Sequence, residues 1–276
     1  MRRAPRIVLV LAVIAAGATA ASSGLARSAA VHLWPVEPFS RCTSDPRIFC
    51  EPGSEPFARA IAALLPTAIA RVEQQQYGPF RKPVKITTYA SQDTYALYAG
   101  HRAGAATTSF GEVHLAPRMR GLPGQHAALL GHELSHLHLL QRAGALATMR
   151  MPNWFTEGWA TSTSGGGGAG GVDPEQAVFA LVHGVHFTPG ETESLFSPTR
   201  AHSFKLGGAM YYRQASLFVG YLQRRDANAF AGMVRELEAG EPFASALRRA
   251  YGQPLPGLWQ DFRAGLRYHP AAQARG

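Results

Sequence analysis

Residues 127–140, Ala-Ala-Leu-Leu-Gly-His-Glu-Leu-Ser-His-Leu-His-Leu-Leu, constrain this chain more than any other stretch. Leu129, Leu130, Leu134, Leu137 and Leu140 make it read as a helix that is apolar on most sides. At its centre stands His-Glu-x-x-His, with His132 and His136 four residues apart and therefore about one turn apart on one face. Two imidazoles so placed can hold one zinc ion, and Glu133 between them can reach a water on that ion. The plainer alternative is a core helix with partly exposed histidines. Against it, three histidines and a glutamate in a buried helix are costly without a partner.

A catalytic zinc needs a third protein ligand and an open position. Between His136 and Asp173 only His138 and Glu157 have suitable side chains, and no cysteine follows Cys50. His138 is two residues beyond His136 and points elsewhere on the helix. A third histidine in the pattern His-Glu-x-x-His-x-x-Gly-x-x-His is excluded, because Leu139 occupies the place of its glycine. Glu157 is the remaining candidate. It lies in Pro152-Asn153-Trp154-Phe155-Thr156-Glu157-Gly158-Trp159-Ala160, which reads as the start of a second helix with Asn153 as N-cap. A solvated helix carboxylate is the alternative, but the flanking aromatics argue for a buried helix whose lone Glu needs a cation.

His-Glu-x-x-His followed by Trp-Phe-x-Glu-Gly-x-Ala resembles the gluzincin metallopeptidases, in particular the peptidase MA-like domains of bacterial envelopes. The resemblance covers roughly residues 84–267. It implies a thermolysin-like core with His132, His136 and Glu157 on Zn2+ and Glu133 as general base. Tyr212, followed two residues later by Gln214 and then an apolar run, matches a tyrosine that in relatives hydrogen-bonds the tetrahedral intermediate. The alternative is that Tyr211 and Tyr212 merely pack. His183, His186 and His202 are the other candidate oxyanion donors, each also readable as a surface histidine.

The chain begins with Arg2, Arg3 and Arg6, then an apolar run from Ile7 to Gly17 and the small-x-small pattern Ala18-Thr19-Ala20. That is the layout of a secretory signal peptide over residues 1–20, shorter than the roughly 20 apolar residues that span a bilayer. The alternative is an uncleaved N-terminal anchor. After cleavage no membrane span is expected, and the protein is periplasmic or secreted. Cys42 and Cys50 are the only cysteines, and in an exported chain they are expected to form a disulfide. The formal charge is +9, but the arginines outside the leader are scattered, with no basic stripe and no nucleic-acid motif.

The sequence therefore divides into a leader (1–20), an irregular segment with a disulfide loop (21–56), a peptidase domain (57–268) and a flexible tail (269–276). The fold class expected is α+β: a zincin-like core with a small N-terminal β-sheet, the active-site helix and a helical C-terminal lobe. Within the domain, 56–76 reads as an amphipathic helix that Pro66 would break or kink, and 84–89 as a strand. Ser91 caps a short helix, 100–108 is loop-like, and 110–115 is a second strand. That second strand matches the edge strand which borders the substrate cleft in gluzincins, making Glu112 and His114 cleft candidates or merely exposed strand residues. Gly144 ends the active helix, and 165–171 is a flexible glycine loop. Helices follow from Asp173, over 207–225, from Asp226 to 238, over 242–251 and over 255–267.

The function expected is hydrolysis of a peptide or protein substrate by a zinc-activated water. A non-catalytic zinc-fold envelope module is the alternative. Thr156 stands where many relatives carry Asn, and Thr161 where thermolysin-like enzymes carry an Asp behind the metal ligands. Absence of Gly-x-Met-Glu-Asn leans toward endopeptidase action over aminopeptidase. The sequence fixes no oligomeric state.

Overall fold

The computed structural model of the chain describes residues 30–32, 39–192 and 199–266. The expected leader, its cleavage site and the expected tail lie outside the described residues. The chain divides into two units, Met1–Ala63 with Val84–Gly124, and Leu64–Pro83 with Gln125–Gly276. The class is α+β: among the described residues the strands all fall in the first unit and an unbroken run of helices from His126 in the second.

The first unit is built on a five-stranded sheet. Its strands are β1 (Ser40–Arg41), β2 (Ile48–Cys50), β3 (Ile86–Thr88), β4 (Ala106–Ser109) and β5 (Glu112–Leu115), in the order β1-β2-β3-β5-β4. β2, β3 and β5 run parallel, with Phe49 opposite Thr87 and Thr87 opposite His114. Parallel central strands are covered on both faces, and Ile48, Ile86, Val113 and Leu115 are accordingly all buried. Cys42 and Cys50 are joined by a disulfide across the β1–β2 connection, inside which Arg47 and Asp45 pair at 2.7 Å. The stretch expected to be irregular thus contributes two strands, because its disulfide and β3 give Ile48–Cys50 partners on both sides.

Two further expectations are corrected. The segment 100–108 is not all loop: Ala106–Ser109 is β4. It pairs antiparallel with β5 through a two-residue turn at Phe110 and Gly111, both at positive φ (51° and 81°), the twist that suits a tight hairpin. β5 is therefore not an edge strand, since β3 and β4 cover its two sides. Helix α1 (Glu55–Gln75) runs through Pro66 without ending, its first part in the first unit and its remainder in the second. Helix α2 (Gln92–Ala99) starts as expected, with Ser91 Oγ accepting from the amides of Asp93 and Thr94.

The second unit is helical: α3 (His126–Ala143), α4 (Ala145–Arg150), α5 (Asn153–Ser164), α6 (Pro174–Val182), α7 (Gly208–Arg225), α8 (Ala227–Glu238), α9 (Phe243–Tyr251) and α10 (Leu255–Leu266). Gly144 receives the end of α3, and Asp173 and Asp226 cap α6 and α8. Asn153 is the first residue of α5 rather than its cap, a place taken by Pro152. The core is aromatic: Trp154, Phe155 and Trp159 of α5 pack with Phe218, Phe230 and Trp259. Burying each such ring contributes roughly 1.5–3 kcal/mol or more. At Gly158 a Cβ would lie 2.6 Å from the Ala215 carbonyl oxygen, so only glycine lets α5 lie this close to α7.

Candidate metal centre

Helix α3 carries His132, Glu133 and His136, and its buried leucines (Leu130, Leu134, Leu137) fix its rotation. Helix α5 carries Glu157, held by the aromatic residues on either side of it. Both helices belong to the second unit, and they bring the three side chains together. His132 Nε2 lies 3.1 Å from His136 Nε2 and 3.1 Å from Glu157 Oε2, and His136 Nε2 lies 3.4 Å from the same oxygen. A tetrahedral ion about 2 Å from each donor sets donors about 3.3 Å apart. The triangle fits that spacing, and the group can hold a metal ion.

The electrostatics point the same way. Burial disfavours charge on His136, but the Glu157 carboxylate, by charge and hydrogen bond, and then Glu133 outweigh it and raise the imidazole pKa to about 9. Burial likewise opposes ionisation of Glu157, yet His136 and His132 hold it well below the ordinary carboxylate range. Without a metal, a proton supplies the positive charge that this nest of acceptors demands. Glu133 is 8% exposed and close enough to act on both His136 and Tyr212.

Tyr212, on α7, stacks on the His132 ring with centroids 5.7 Å apart. The charge of Glu157, then burial, then Glu133 push its phenol far up, with a hydrogen bond to Glu157 adding to the effect. Tyr211 points into the aromatic core instead, against Phe187 and Phe204. His138 also faces away: its Nε2 bonds the Gly78 carbonyl at 2.8 Å, and burial lowers its pKa. His183 is exposed at the end of α6 with Nδ1 on the Phe179 carbonyl, His186 packs edge-on to Trp259, and His202 is exposed. None of the three belongs to the His132–His136–Glu157 group.

Glu112 and His114, expected at a cleft, are instead buried in the sheet unit at 5% and 0% exposure. β4 takes the backbone edge of β5, and His32, Lys85 and Tyr89 lie against the two side chains. His114 is kept neutral, mainly by burial and then by His32, with a pKa lowered to about 3.

Sequence reasoning missed how the glycine run supports His132. Residues 165–171 are a packed turn rather than a free loop. The Gly166 amide donates to the Thr161 carbonyl and the Gly167 amide to Ser164 Oγ. A Cβ on Gly167 would come within 2.2 Å of the Ala128 carbonyl oxygen and 2.8 Å of His132 Cβ. Thr161 Oγ1 donates to the Gly167 carbonyl at 2.9 Å, leaving its lone pairs toward His132 Nδ1 at 3.5 Å. With Nδ1 turned to Thr161, Nε2 is the nitrogen that faces Glu157 and His136. The available signal was the run of glycines directly after the helix bearing Glu157, with no charge to solvate it.

A cavity of about 670 Å³ elsewhere in this unit, lined by Leu146, Met151 and Phe243 among others, includes none of His132, Glu133, His136 or Glu157. A scan of protein-family models finds no match to the chain, and a search of curated proteins finds none either.

Proposed function

We propose that this chain is a zinc-dependent peptidase of the gluzincin type, acting on peptide or protein substrates in the cell envelope or outside the cell. The observation that carries the reading is the convergence of His132 Nε2, His136 Nε2 and Glu157 Oε2 within 3.1–3.4 Å of one another, with Glu133 next to His132 in the chain. Two imidazoles and one carboxylate form a donor set that suits zinc and leaves a position open. When bound there, zinc supplies Lewis acidity, which polarises a carbonyl and lowers the pKa of water.

The chain's own residues supply the rest. Glu133 accepts the proton of the attacking water as the C–O bond forms, then delivers it to the leaving amine nitrogen as the C–N bond breaks. In the metal-free chain the Glu157 charge and burial oppose ionisation of the Tyr212 phenol, which offers an O–H to donate to the developing oxyanion. Thr161 and the glycine turn hold the His132 ring in place. The Cys42–Cys50 disulfide supports an oxidising compartment. Among the described residues no helix is long and apolar enough to cross a membrane.

Cleavage of a peptide library by the purified chain tests the reading. Hydrolysis should disappear on chelation and return with zinc. A chain fully loaded with zinc that cleaves no library member is instead a non-catalytic metal-binding module.

A further inference from the structure

The sheet unit holds a second group of metal-ligand side chains with no part in the proposed hydrolysis. His32 Nδ1 lies 3.3 Å from Glu112 Oε1, and His114 Nε2 lies 3.9 Å from the same oxygen. The three donor atoms all fall within 4.8 Å of one another. We propose that His32, Glu112 and His114 form a second site for a divalent late transition ion such as zinc, which clips the short N-terminal turn at residues 30–32 to β5.

The hydrogen bonds around the group are those a metal site needs. The outward nitrogen of each imidazole already has a partner. His32 Nε2 donates to the Tyr98 carbonyl at 3.1 Å, which leaves Nδ1 with its lone pair facing Glu112. His114 Nδ1 meets the Tyr89 hydroxyl at 2.7 Å. Ligand imidazoles are commonly fixed in this way, through the nitrogen that does not touch the metal. The carboxylate is divided too: Lys85 Nζ holds Glu112 Oε2 at 2.6 Å, so Oε1 is the oxygen turned to the histidines.

Two features bear on how an ion enters. The His114 Nε2 position lies 3.3 Å from the Ser109 carbonyl, so in the metal-free chain it carries a proton that this carbonyl accepts. For Nε2 to bind an ion, that proton would have to move to Nδ1, with the Tyr89 hydroxyl turning from donor to acceptor; the imidazole stays neutral. The donor triangle is wider than the roughly 3.3 Å of a tetrahedral site. His32 is the more accessible of the two histidines, its side chain 20% exposed while that of His114 is fully enclosed, so it is the one that would shift to close the triangle. Lys85 is about half exposed, so water screens its charge from an incoming cation. Imidazole and carboxylate together favour zinc or copper over calcium or magnesium.

The experiment is calorimetric titration of zinc chloride into the untagged, metal-free chain that retains His32. Four forms are compared: the parent, His132→Ala/Glu157→Gln, His32→Ala, and all three substitutions together. The second site predicts two, one, one and no ions bound, and a zinc-induced rise in melting temperature of His132→Ala/Glu157→Gln that His32→Ala removes. His32→Ala also removes the bond to the Tyr98 carbonyl and the stack on Phe110, so the quantity compared is the zinc-induced rise of each form above its own metal-free melting temperature. Failure of this proposal and failure of the first site are distinct. If His132→Ala/Glu157→Gln binds no zinc and His32→Ala binds as the parent does, the second site is overturned. If His132→Ala/Glu157→Gln binds as the parent does while His32→Ala binds none, the second site stands and the first is wrong.

Discussion

The two His/Glu groups of this chain use the same donors, two imidazoles and one carboxylate, yet treat a proton in opposite ways. In the helical unit Glu157 pairs with His132 and His136, and it drives His136 up to about 9. In the sheet unit Glu112 is already paired with Lys85, and burial, His32 and Lys85 hold His114 down to about 3. Burial first, then the neighbouring His32, and only after them Lys85, keep the His114 imidazole neutral, whereas the Glu157 charge overrides burial at His136. Local charge balance, not residue type, sets how strongly a nest of ligands calls for a metal.

The largest expected effect comes from removing the packing that only the first group depends on. Trp159→Ala should cost about 3–5 kcal/mol by leaving a cavity in the aromatic core, read as a lower denaturation midpoint. It should weaken zinc binding at His132 and leave that at His32 unchanged. Equal loss at both would break the separation between the groups. Next, Tyr212→Phe should lower kcat about 10²-fold with KM little changed, while Tyr211→Phe changes neither. The reverse pattern would assign the wrong tyrosine to the site. Smaller still, Thr161→Val removes the acceptor behind His132 and should weaken zinc affinity about tenfold, with no effect at the sheet group.

A pH series sharpens the contrast most gently. His136 has a raised pKa in the folded, metal-free chain, so its stabilisation is complete below about 6.5 and fades as pH rises through 9. The metal-free melting temperature should decline over that window, and zinc should abolish the decline. His114 works the other way: its depressed pKa means that acidification below about 6.5 destabilises the sheet unit. Histidine resonances followed by NMR should show the His136 ring titrating near 9 and the His114 ring still neutral at pH 5.

The two groups also differ in how far the sequence shows them. His132, Glu133 and His136 are legible because one helix delivers them at fixed spacing, and Glu157 by elimination over a short interval. The caps at Ser91, Asp173 and Asp226 were legible for the same local reason. His32, Glu112 and His114 come from an N-terminal turn and a strand whose meeting depends on sheet order, which no local spacing encodes. The β4 strand hid in a run of Gly, Ala and Thr with weak alternation, and missing it turned β5 into a false edge. Pro66 in α1 read as a break or kink because propensity is local; the helix continues through it, carried by the buried Ile61, Leu65 and Val72. The glycine run read as a flexible loop because its role is negative: it matters through the Cβ that Gly167 lacks against His132.

The central claim is that the His132–His136–Glu157 group is a catalytic centre and not merely a bound ion. Glu133→Gln tests it most directly, because that side chain is proposed to touch the water and not the metal. Zinc content and peptide hydrolysis are measured on the same preparation. The account predicts parent zinc content with hydrolysis reduced about 10³-fold or more. Full hydrolysis by Glu133→Gln on any peptide that the parent cleaves would contradict it.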